Sequence, residues 1–338
     1  METRQRETGT IVLDSTLGLA SSRRHVLDLD DFSRDEIEMV MRITDAMKEV
    51  LGRQIKKVPT LRGRVVANLF YEASTRTRVS FEEAGKVLSA EVISVSSSGS
   101  SVEKGESLLN TALTLQAMGV DIIVIRHPHS GAPHFVARHA QRVRVINAGD
   151  GLHAHPTQAL LDLYTLRSRF ENIQGLKVVI VGDILHSRVA RSNIWGLTVM
   201  GANVVLCGPP TLLPRELFQG NGRLPWNVQV TTDLDRAIEG ADVVMALRIQ
   251  KERQGTQFFP SLREYSRLYQ VNEERLARAR ENVFVMHPGP MNEGVEISHQ
   301  VAHGNRSLIE EQVANGVAVR MAILYLLTGP RAWRDNDA

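Results

Sequence analysis

The pentapeptide Ser74-Thr75-Arg76-Thr77-Arg78 combines hydroxyl and guanidinium groups where a chain can bind an anion. Residues 65–71 before it are apolar and β-branched, which indicates a buried strand, and Phe81, Ala84 and Leu88 after it have helical spacing. The pentapeptide should therefore open a helix, where unpaired backbone N–H groups and the helix dipole favour negative charge. Its two arginines add charge-assisted contacts suited to phosphate oxygens. A Ser/Thr helix cap with two solvated arginines is the alternative interpretation of the pentapeptide alone.

Further basic and polar residues occur where other predicted strands end or the next helices begin. These segments are Arg126-His127-Pro128, His155-Pro156-Thr157-Gln158, Arg188, Arg248-Ile249-Gln250 and His287-Pro288-Gly289-Pro290. Ligands of parallel sheets bind beyond the carboxyl ends of the strands, and all of these segments lie at such ends or in the loops that follow. We therefore predict that they form one anion-binding site.

The strand and helix patterns alternate from residue 33 onward. Ser33 and Glu36 form a Ser-x-x-Glu capping box at the first helix. The alternation predicts an α/β fold with two domains, each a mostly parallel sheet covered by helices. The apolar face predicted for the last helix, over residues 310–327, consists of Val313, Val317, Met321 and Leu324.

Nucleotide-binding motifs and a metal centre are alternatives that the sequence argues against. Gly182 follows a predicted strand over residues 176–181, but the second and third glycines of the dinucleotide-binding motif are missing, and no P-loop motif occurs. Histidines cluster at positions 127, 129, 134, 139, 153 and 155 without a cysteine nearby. Because structural zinc sites commonly include thiolates, we interpret these histidines as solvated or bonded to the backbone.

Composition is that of a globular protein. The 338 residues can form two domains with separate cores, and the net charge of +2 gives no argument for nucleic-acid binding. The single cysteine, Cys207, excludes an internal disulfide framework and fits a reducing cytoplasm. The longest apolar stretch is interrupted by Arg320, so no membrane span is expected. Residues 1–22 lack an apolar signal core and are predicted to form a flexible extension.

Taken together, the motifs resemble those of aspartate carbamoyltransferase catalytic chains, in order from about Arg24 to Leu327. The resemblance implies transfer of the carbamoyl group of carbamoyl phosphate to L-aspartate, the committed step of pyrimidine biosynthesis, without metal or organic cofactor. It also implies a carbamoyl-phosphate-binding domain of residues 23–155 and 306–331 and an aspartate-binding domain of residues 156–305. The C-terminal helix would thus return to the first domain.

The resemblance also implies roles for the matched residues. The phosphate would be held by Ser74, Thr75, Arg76 and Thr77, while Arg126 would bridge the phosphate and the carbonyl oxygen. That oxygen would also be contacted by Thr77 and by His155 as a neutral donor. The carbamoyl NH2 would donate to Gln158 and to the backbone carbonyls of Gly289 and Pro290. The leaving phosphate is the expected proton acceptor.

On the aspartate side, the resemblance implies that the two carboxylates are bound by Arg188, Arg248 and Gln250. Ser100 and Lys104 match residues that family members donate from a neighbouring subunit, with Ser100 contacting carbamoyl phosphate and Lys104 contacting aspartate and taking part in the reaction. This implies a homotrimer with shared active sites. Whether the trimer pairs with a regulatory chain or a dihydroorotase is left open by the sequence.

Two alternatives and one departure accompany this interpretation. Carbamoyltransferases for ornithine or another amine typically have His-Cys-Leu-Pro where this chain has His287-Pro288-Gly289-Pro290, and they recognise a cationic side chain. A non-catalytic anion-binding subunit with the same fold is the second alternative. The departure is Glu293, which occupies a position where a basic residue is expected in many bacterial relatives.

Overall fold

Two parallel sheets form the framework of the molecule, as the alternating strand and helix patterns predict. The computed structural model describes residues 23–96, 106–214, 227–249 and 261–328. The first sheet contains β1 (Val65–Phe70), β2 (Glu91–Ser96), β3 (Ile122–His127) and β4 (Arg144–Asp150), in the spatial order β2-β1-β3-β4. The second contains β5 (Lys177–Val181), β6 (Asn203–Cys207), β7 (Val228–Thr231), β8 (Val243–Ala246) and β9 (Phe284–Met286), in the order β7-β6-β5-β8-β9. Each pair of neighbouring strands is parallel.

Helices connect the strands and cover both sheets. Those of the first half are α1 (Arg34–Leu51), α2 (Thr75–Val87), α3 (Leu108–Ala117), α4 (Ala132–His139) and α5 (Pro156–Arg167). Those of the second half are α6 (Arg188–Val199), α7 (Leu234–Ile238), α8 (Leu262–Tyr269), α9 (Glu273–Leu276), α10 (His299–Ala302) and α11 (Ile309–Thr328). The capping box of α1 is confirmed, since the Ser33 hydroxyl accepts from the Glu36 N–H and the Glu36 side chain accepts from the Ser33 N–H.

The cores follow from the two-residue period of the strands. On β3, Ile122 and Val124 pack into an apolar cluster that α1, α2, α5, α6 and α11 share, whereas Ile123 and Ile125 pack on the opposite face. The second sheet contributes one of its faces to the same shared cluster. The two sheets are therefore joined by a common layer of helices. No helix within the described ranges is both long enough and apolar enough to cross a membrane.

Helix α11 returns from the second sheet to pack against α1, α2 and α5. Its predicted apolar face is only partly correct, because Met321 and Leu324 are buried but Val313 is 53% exposed. The helix is enclosed on most sides, so polar residues such as Gln312 and Asn315 are buried too and no single apolar face exists. The domain boundaries at residues 155 and 305 stay predictions.

Candidate active site

A cleft of about 990 Å³ lies where the carboxyl ends of the two sheets face each other. The sequence-predicted site residues that line it are Ser74, Thr75, Arg76, Thr77, Arg126, His155, Gln158, Arg188, Arg248, Gly289 and Pro290. Segments distant in sequence thus meet at one place, as the anion-site hypothesis requires. Ser100, Lys104 and Gln250 lie outside the described residues.

The N-terminus of α2 opens into this cleft. Ser74 is the N-cap residue, in an extended conformation, and its hydroxyl donates to Oγ1 of Thr77 at 3.0 Å instead of capping a backbone N–H. The N–H groups of the first turn therefore remain available to a ligand. A helix start with free N–H groups and hydroxyl side chains is well suited to a phosphate group.

Arg76 extends from this helix start to the loop after β9. Gly289 in that loop has φ +64°, and a Cβ atom added there would overlap the Arg76 guanidinium. Glycine is needed at this position both for the left-handed backbone and for the close approach of the arginine. Partial burial and the nearby positive charge of Arg248 lower the pKa of Arg76. The two guanidinium groups are therefore close enough to repel each other.

Glu72 connects the two sides of the cleft, and the sequence analysis did not identify it. Its Oε1 accepts from Arg126 Nη2 at 2.7 Å and from Arg188 Nη2 at 2.6 Å, and its Oε2 accepts from Arg188 Nη1 at 3.0 Å. Gly149, with φ +114°, allows this approach, since a Cβ atom there would lie 2.9 Å from Arg188 Cζ and 3.1 Å from Arg126 Nη1. The two arginines thus already bind one carboxylate.

His155 and Gln158 lie at the start of α5. The backbone N–H of His155, the N-cap residue of α5, donates to Ser192 Oγ at 2.9 Å. This bond holds His155 at the buried floor of the cleft. Gln158 Nε2 donates to Asp162 Oδ1 at 2.9 Å. This bond fixes the orientation of the amide, so that Oε1 is the atom offered to a ligand that donates hydrogen bonds.

Asp162 is the centre of a buried polar network behind the cleft. Its carboxylate accepts from Gln312 Nε2 at 2.7 Å and from Asn193 Nδ2 at 2.8 Å, in addition to Gln158. Burial raises the pKa of Asp162 to about 6, and burial lowers the pKa of Arg320 to about 10. The attraction between these two groups opposes both shifts. The network supports the amide that faces the cleft.

Asp162, Gln312 and Arg320 were missed as site residues at the level of sequence. A signal existed for two of them: Asp162 lies four residues after Gln158 in an otherwise apolar helix, and Arg320 interrupts the apolar stretch of α11. Glu72 directly follows the predicted strand of residues 65–71, which indicates a place at the cleft. Its ion pairs have no local signal, because its partners lie 54 and 116 residues away in the sequence.

The loop after β9 is shaped by His287. Its Nδ1 accepts from the Gly289 N–H at 2.8 Å and its Nε2 donates to Glu296 Oε1 at 3.2 Å. The His287 N–H donates to Gln312 Oε1 at 3.0 Å, which joins this loop to the network of Asp162. These bonds hold Gly289 and Pro290 at the cleft wall.

The charge of the cleft is strongly positive. Its described lining includes five arginines, at positions 76, 126, 188, 248 and 320, against two carboxylates, Glu72 and Glu83. Arginine stays charged and binds phosphate and carboxylate groups through two parallel hydrogen bonds. The arrangement can therefore hold two anionic ligands side by side, with His155 and Thr77 available as hydrogen-bond donors to a group between them.

Among the loop histidines, His134 and His153 approach Asp150 closely enough to share an ion. Asp150 is buried, however, and its carboxylate already accepts from the N–H groups of Gly131 and Ala154 and from Asn147 Nδ2. These bonds explain Asp150 as a structural residue that fixes the loop after β4. His139 Nδ1 lies 2.7 Å from the carbonyl oxygen of Phe135, in line with the predicted bonding of histidines to the backbone. The prediction is wrong for His153, whose Nδ1 lies 3.1 Å from Asp150 Oδ2.

Two parallel-sheet domains around an arginine-rich cleft define a class of proteins that bind anionic compounds between two sheets. Comparison with known families makes this specific. The model described as "Aspartate/ornithine carbamoyltransferase, carbamoyl-P binding domain" matches residues 24–168, and the model of the Asp/Orn binding domain matches residues 174–327. The chain belongs to the aspartate/ornithine carbamoyltransferase family, and the predicted resemblance is confirmed.

Individual relatives agree with this assignment. The aspartate carbamoyltransferase catalytic subunit of Roseiflexus sp. (strain RS-1) is 61% identical over 308 residues, which cover 91% of this chain and 96% of that protein. The aspartate transcarbamoylase of Trypanosoma cruzi, solved in complex with carbamoyl phosphate and aspartate, has a TM-score of 0.82 at 29% identity, covering 92% and 98% of the two chains. The ornithine carbamoyltransferase of Pyrococcus furiosus has a TM-score of 0.78 at 28% identity, covering 90% and 96%.

Proposed function

We propose that this chain transfers the carbamoyl group of carbamoyl phosphate to the amine of L-aspartate, giving N-carbamoyl-L-aspartate and phosphate. The observation that carries the proposal is the carboxylate of Glu72 between Arg126 and Arg188. It demonstrates that guanidinium groups from both sides of the cleft converge on one small anion. Carbamoyl phosphate and aspartate both have anionic groups that such guanidinium groups bind, and we place their reacting groups between the two arginines.

Carbamoyl phosphate is assigned to the first-sheet side of the cleft. Its phosphate would accept from the start of α2 and from Arg76, and its carbonyl oxygen from Thr77, Arg126 and His155. Gln158 Oε1 would accept from the NH2 group, because Asp162 holds the Nε2 end of the same amide. The backbone carbonyls of Gly289 and Pro290 provide the other acceptors for this NH2 group.

Aspartate is assigned to the second-sheet side. Arg188 opens α6 and Arg248 follows β8, so the two guanidinium groups would bind the two carboxylates, together with Gln250. A second carboxylate distinguishes aspartate from ornithine, whose side chain is cationic. Ornithine transfer is not favoured, because a positive side chain would enter a cleft wall that is already arginine-rich.

In the reaction, the aspartate amine attacks the carbamoyl carbon and forms the new C–N bond. The carbonyl oxygen gains negative charge in the tetrahedral intermediate, and each preorganised donor to that oxygen contributes roughly 3–4 kcal/mol by analogy with oxyanion holes. The C–O bond to phosphate then breaks, and the phosphate takes the proton that the amine loses. The donors that bound the phosphate in the substrate remain in place to stabilise it as a leaving group.

The active site is proposed to be shared between subunits of a homotrimer, with Ser100 and Lys104 supplied by the neighbouring chain. Mixing two inactive variants, Arg76→Ala and Lys104→Ala, tests this proposal. Subunit exchange should restore part of the activity, because some sites in the mixed trimers combine an intact Arg76 from one chain with an intact Lys104 from its neighbour. Failure to recover activity after verified exchange would contradict a shared site.

A place in pyrimidine biosynthesis and in the cytoplasm is part of the same proposal. The single cysteine, Cys207, is buried, and burial raises its pKa to about 12, so the thiol stays protonated at neutral pH. A protein with one buried thiol suits a reducing compartment. A regulatory chain or a dihydroorotase is the proposed kind of partner.

Carbamoyl transfer by the purified chain, with aspartate and ornithine compared as acceptors, is the experiment that tests the function. We expect turnover with aspartate and none above background with ornithine. Turnover with ornithine alone would contradict the assignment of Arg188 and Arg248. Phosphate binding without turnover of either acceptor would favour a non-catalytic anion-binding subunit.

A further inference from the structure

Three side chains of the types that can bind a metal ion lie together on the surface, beyond the loop after β9. Glu293 follows Pro290 by three residues, and His299 and His303 are four residues apart at the two ends of α10. That spacing brings two side chains to the same face of a helix. One ligand atom from each of the three residues lies within 4.8 Å of the other two.

The carboxylate of Glu293 contacts one histidine with each of its oxygens. Oε2 lies 2.7 Å from His299 Nδ1, and Oε1 lies 3.1 Å from His303 Nε2. These bonds lower the pKa of Glu293, so the carboxylate is anionic at neutral pH. The imidazole rings lie 4.6 Å apart between centroids, with their planes inclined by 49°.

These distances fit the first coordination shell of a metal. In a tetrahedral zinc site with metal–ligand bonds near 2.0–2.1 Å, neighbouring ligand atoms are about 3.3 Å apart. The two nitrogen–oxygen distances are somewhat shorter than this separation, so the side chains would rotate slightly to place one carboxylate oxygen and the two nitrogens around an ion. Each imidazole would bind through the nitrogen that now faces Glu293 and keep its proton on the other nitrogen.

The site differs from the group of His134, Asp150 and His153 in two ways. In the described part of the chain, the two histidines are the hydrogen-bond partners of Glu293, whereas Asp150 contacts His153 and is also engaged by backbone N–H groups and by Asn147. The side chains of Glu293, His299 and His303 are also 38%, 73% and 48% exposed, so an ion can enter without rearrangement of the backbone.

We propose that Glu293, His299 and His303 form a binding site for Zn²⁺ or a first-row divalent ion with the same preference for imidazole and carboxylate ligands. The three side chains occupy three positions, and water occupies the fourth. The site is separate from the anion cleft and takes no part in carbamoyl transfer. It gives a function to Glu293, the residue for which the family resemblance offers none.

Metal binding there would restrain the segment that leaves the cleft wall. The Asn292 N–H donates to Glu296 Oε1 at 2.6 Å, and the Gly294 N–H donates to the Ile297 carbonyl at 2.8 Å. Glu296 in turn accepts from His287, which holds the loop of Gly289. An ion that ties Glu293 to α10 would therefore stabilise a segment connected to the active-site loop.

The test is a calorimetric titration of the chelator-treated, full-length chain with ZnCl2. We expect one saturable site at this position, and Glu293→Gln, His299→Ala and His303→Ala should each weaken it by more than about tenfold, since even outer partners of metal ligands contribute 10–100-fold. His139→Ala, which removes an exposed histidine elsewhere, and His153→Ala, from the other histidine group, should leave it unchanged. Apart from His153→Ala, the variants change exposed side chains and should keep the fold, and circular dichroism verifies the fold of each variant.

Two readouts distinguish a coordinated ion from nonspecific binding. Zn²⁺ should raise the melting temperature of the wild-type chain but not of the double variant His299→Ala/His303→Ala. Co²⁺ in place of Zn²⁺ should give the visible absorption of a low-symmetry site in the wild type only. Equal Zn²⁺ affinity in the wild type and the double variant would overturn the proposal, as would a titration without saturable binding. The latter result would leave Glu293 as the centre of two ordinary ion pairs.

Discussion

Glu72 and Arg188 form a two-point ion pair across the cleft, with Oε1–Nη2 and Oε2–Nη1 distances of 2.6 and 3.0 Å. The same carboxylate contacts Arg126, the residue assigned to carbamoyl phosphate. A protein carboxylate thus binds the two guanidinium groups that we propose bind the substrate anions. We therefore expect Glu72 to compete with substrate anions for these guanidinium groups.

Replacement of Glu72 by Gln should therefore strengthen the binding of inorganic phosphate. The glutamine keeps the side-chain shape but removes the competing negative charge, and we expect a dissociation constant about three- to tenfold lower. Equilibrium dialysis with labelled phosphate measures the change. Glu83→Gln is the matched control, because Glu83 also lines the cleft but has no bond to Arg126 or Arg188 in the described structure. Unchanged or weaker phosphate binding in Glu72→Gln would refute competition at Arg126.

Arg188→Ala should act mainly on aspartate. Loss of hydrogen bonds to a charged group costs about 1.5–3 kcal/mol, which corresponds to a roughly 10–100-fold higher KM for aspartate. Steady-state kinetics with each substrate varied in turn provide the measurement, and the KM for carbamoyl phosphate should change much less. Arg191→Ala removes an exposed arginine from the same helix and should leave both constants near the wild-type values. A selective loss of carbamoyl phosphate affinity would contradict the assignment of Arg188.

Gly289→Ala should weaken phosphate binding by displacing Arg76. The substitution strains the backbone at φ +64° and places a methyl group where the guanidinium lies, so we expect at least about a tenfold loss in phosphate affinity. Gly294→Ala separates the two effects, because Gly294 has φ +82° but no atom within 4 Å of an added Cβ. Both variants should lose similar thermal stability, whereas phosphate affinity should fall only in Gly289→Ala. Equal affinities in the two variants would show that the contact with Arg76 is unimportant.

His25 should make the folded protein less stable as the pH falls below about 6.5. Its Nδ1 accepts from the Val145 N–H at 3.0 Å, and burial, with the charges of Arg24 and Arg144, lowers its pKa to about 4. The unfolded chain binds a proton near pH 6.5 and the folded chain only near 4, so the stabilisation is complete above pH 6.5 and is lost as the pH approaches 4. Between pH 7 and pH 5 the loss should be about 1–2 kcal/mol, allowing for partial solvent screening.

Urea unfolding of the wild type and of His25→Asn at the two pH values measures this contribution. The asparagine carbonyl can accept from the Val145 N–H but does not titrate, so the variant should lose less stability on acidification. The wild type must be compared with His25→Asn, because other groups change the stability in the opposite direction. Burial raises the pKa values of Asp28 and Asp162 to about 6, so these carboxyl groups make the folded protein more stable as the pH falls. The same pH dependence in both proteins would exclude His25 as its source.

The sequence by itself determined the type and order of most elements near the site. The predicted strand over residues 65–71 is β1, the helix expected after Ser74 is α2, and the capping box of Ser33 and Glu36 is present. These features depend on residues within about four positions of each other, so local patterns are sufficient to predict them. The parallel alternation then places the carboxyl ends of the strands, and the polar residues that follow them, at one cleft.

Only the tertiary structure decided which groups meet inside that cleft and how they are held. Glu72 and Arg188 are 116 residues apart, and Gln312 and Asp162 are 150 residues apart, yet both pairs are joined by hydrogen bonds. Such contacts depend on how one sheet is placed against the other and on the enclosure of α11 by α1, α2 and α5. For the same reason Val313 is exposed despite its helical register with Met321 and Leu324. Local periodicity gives the spacing of side chains along an element, but the packing of distant elements determines what each side chain contacts.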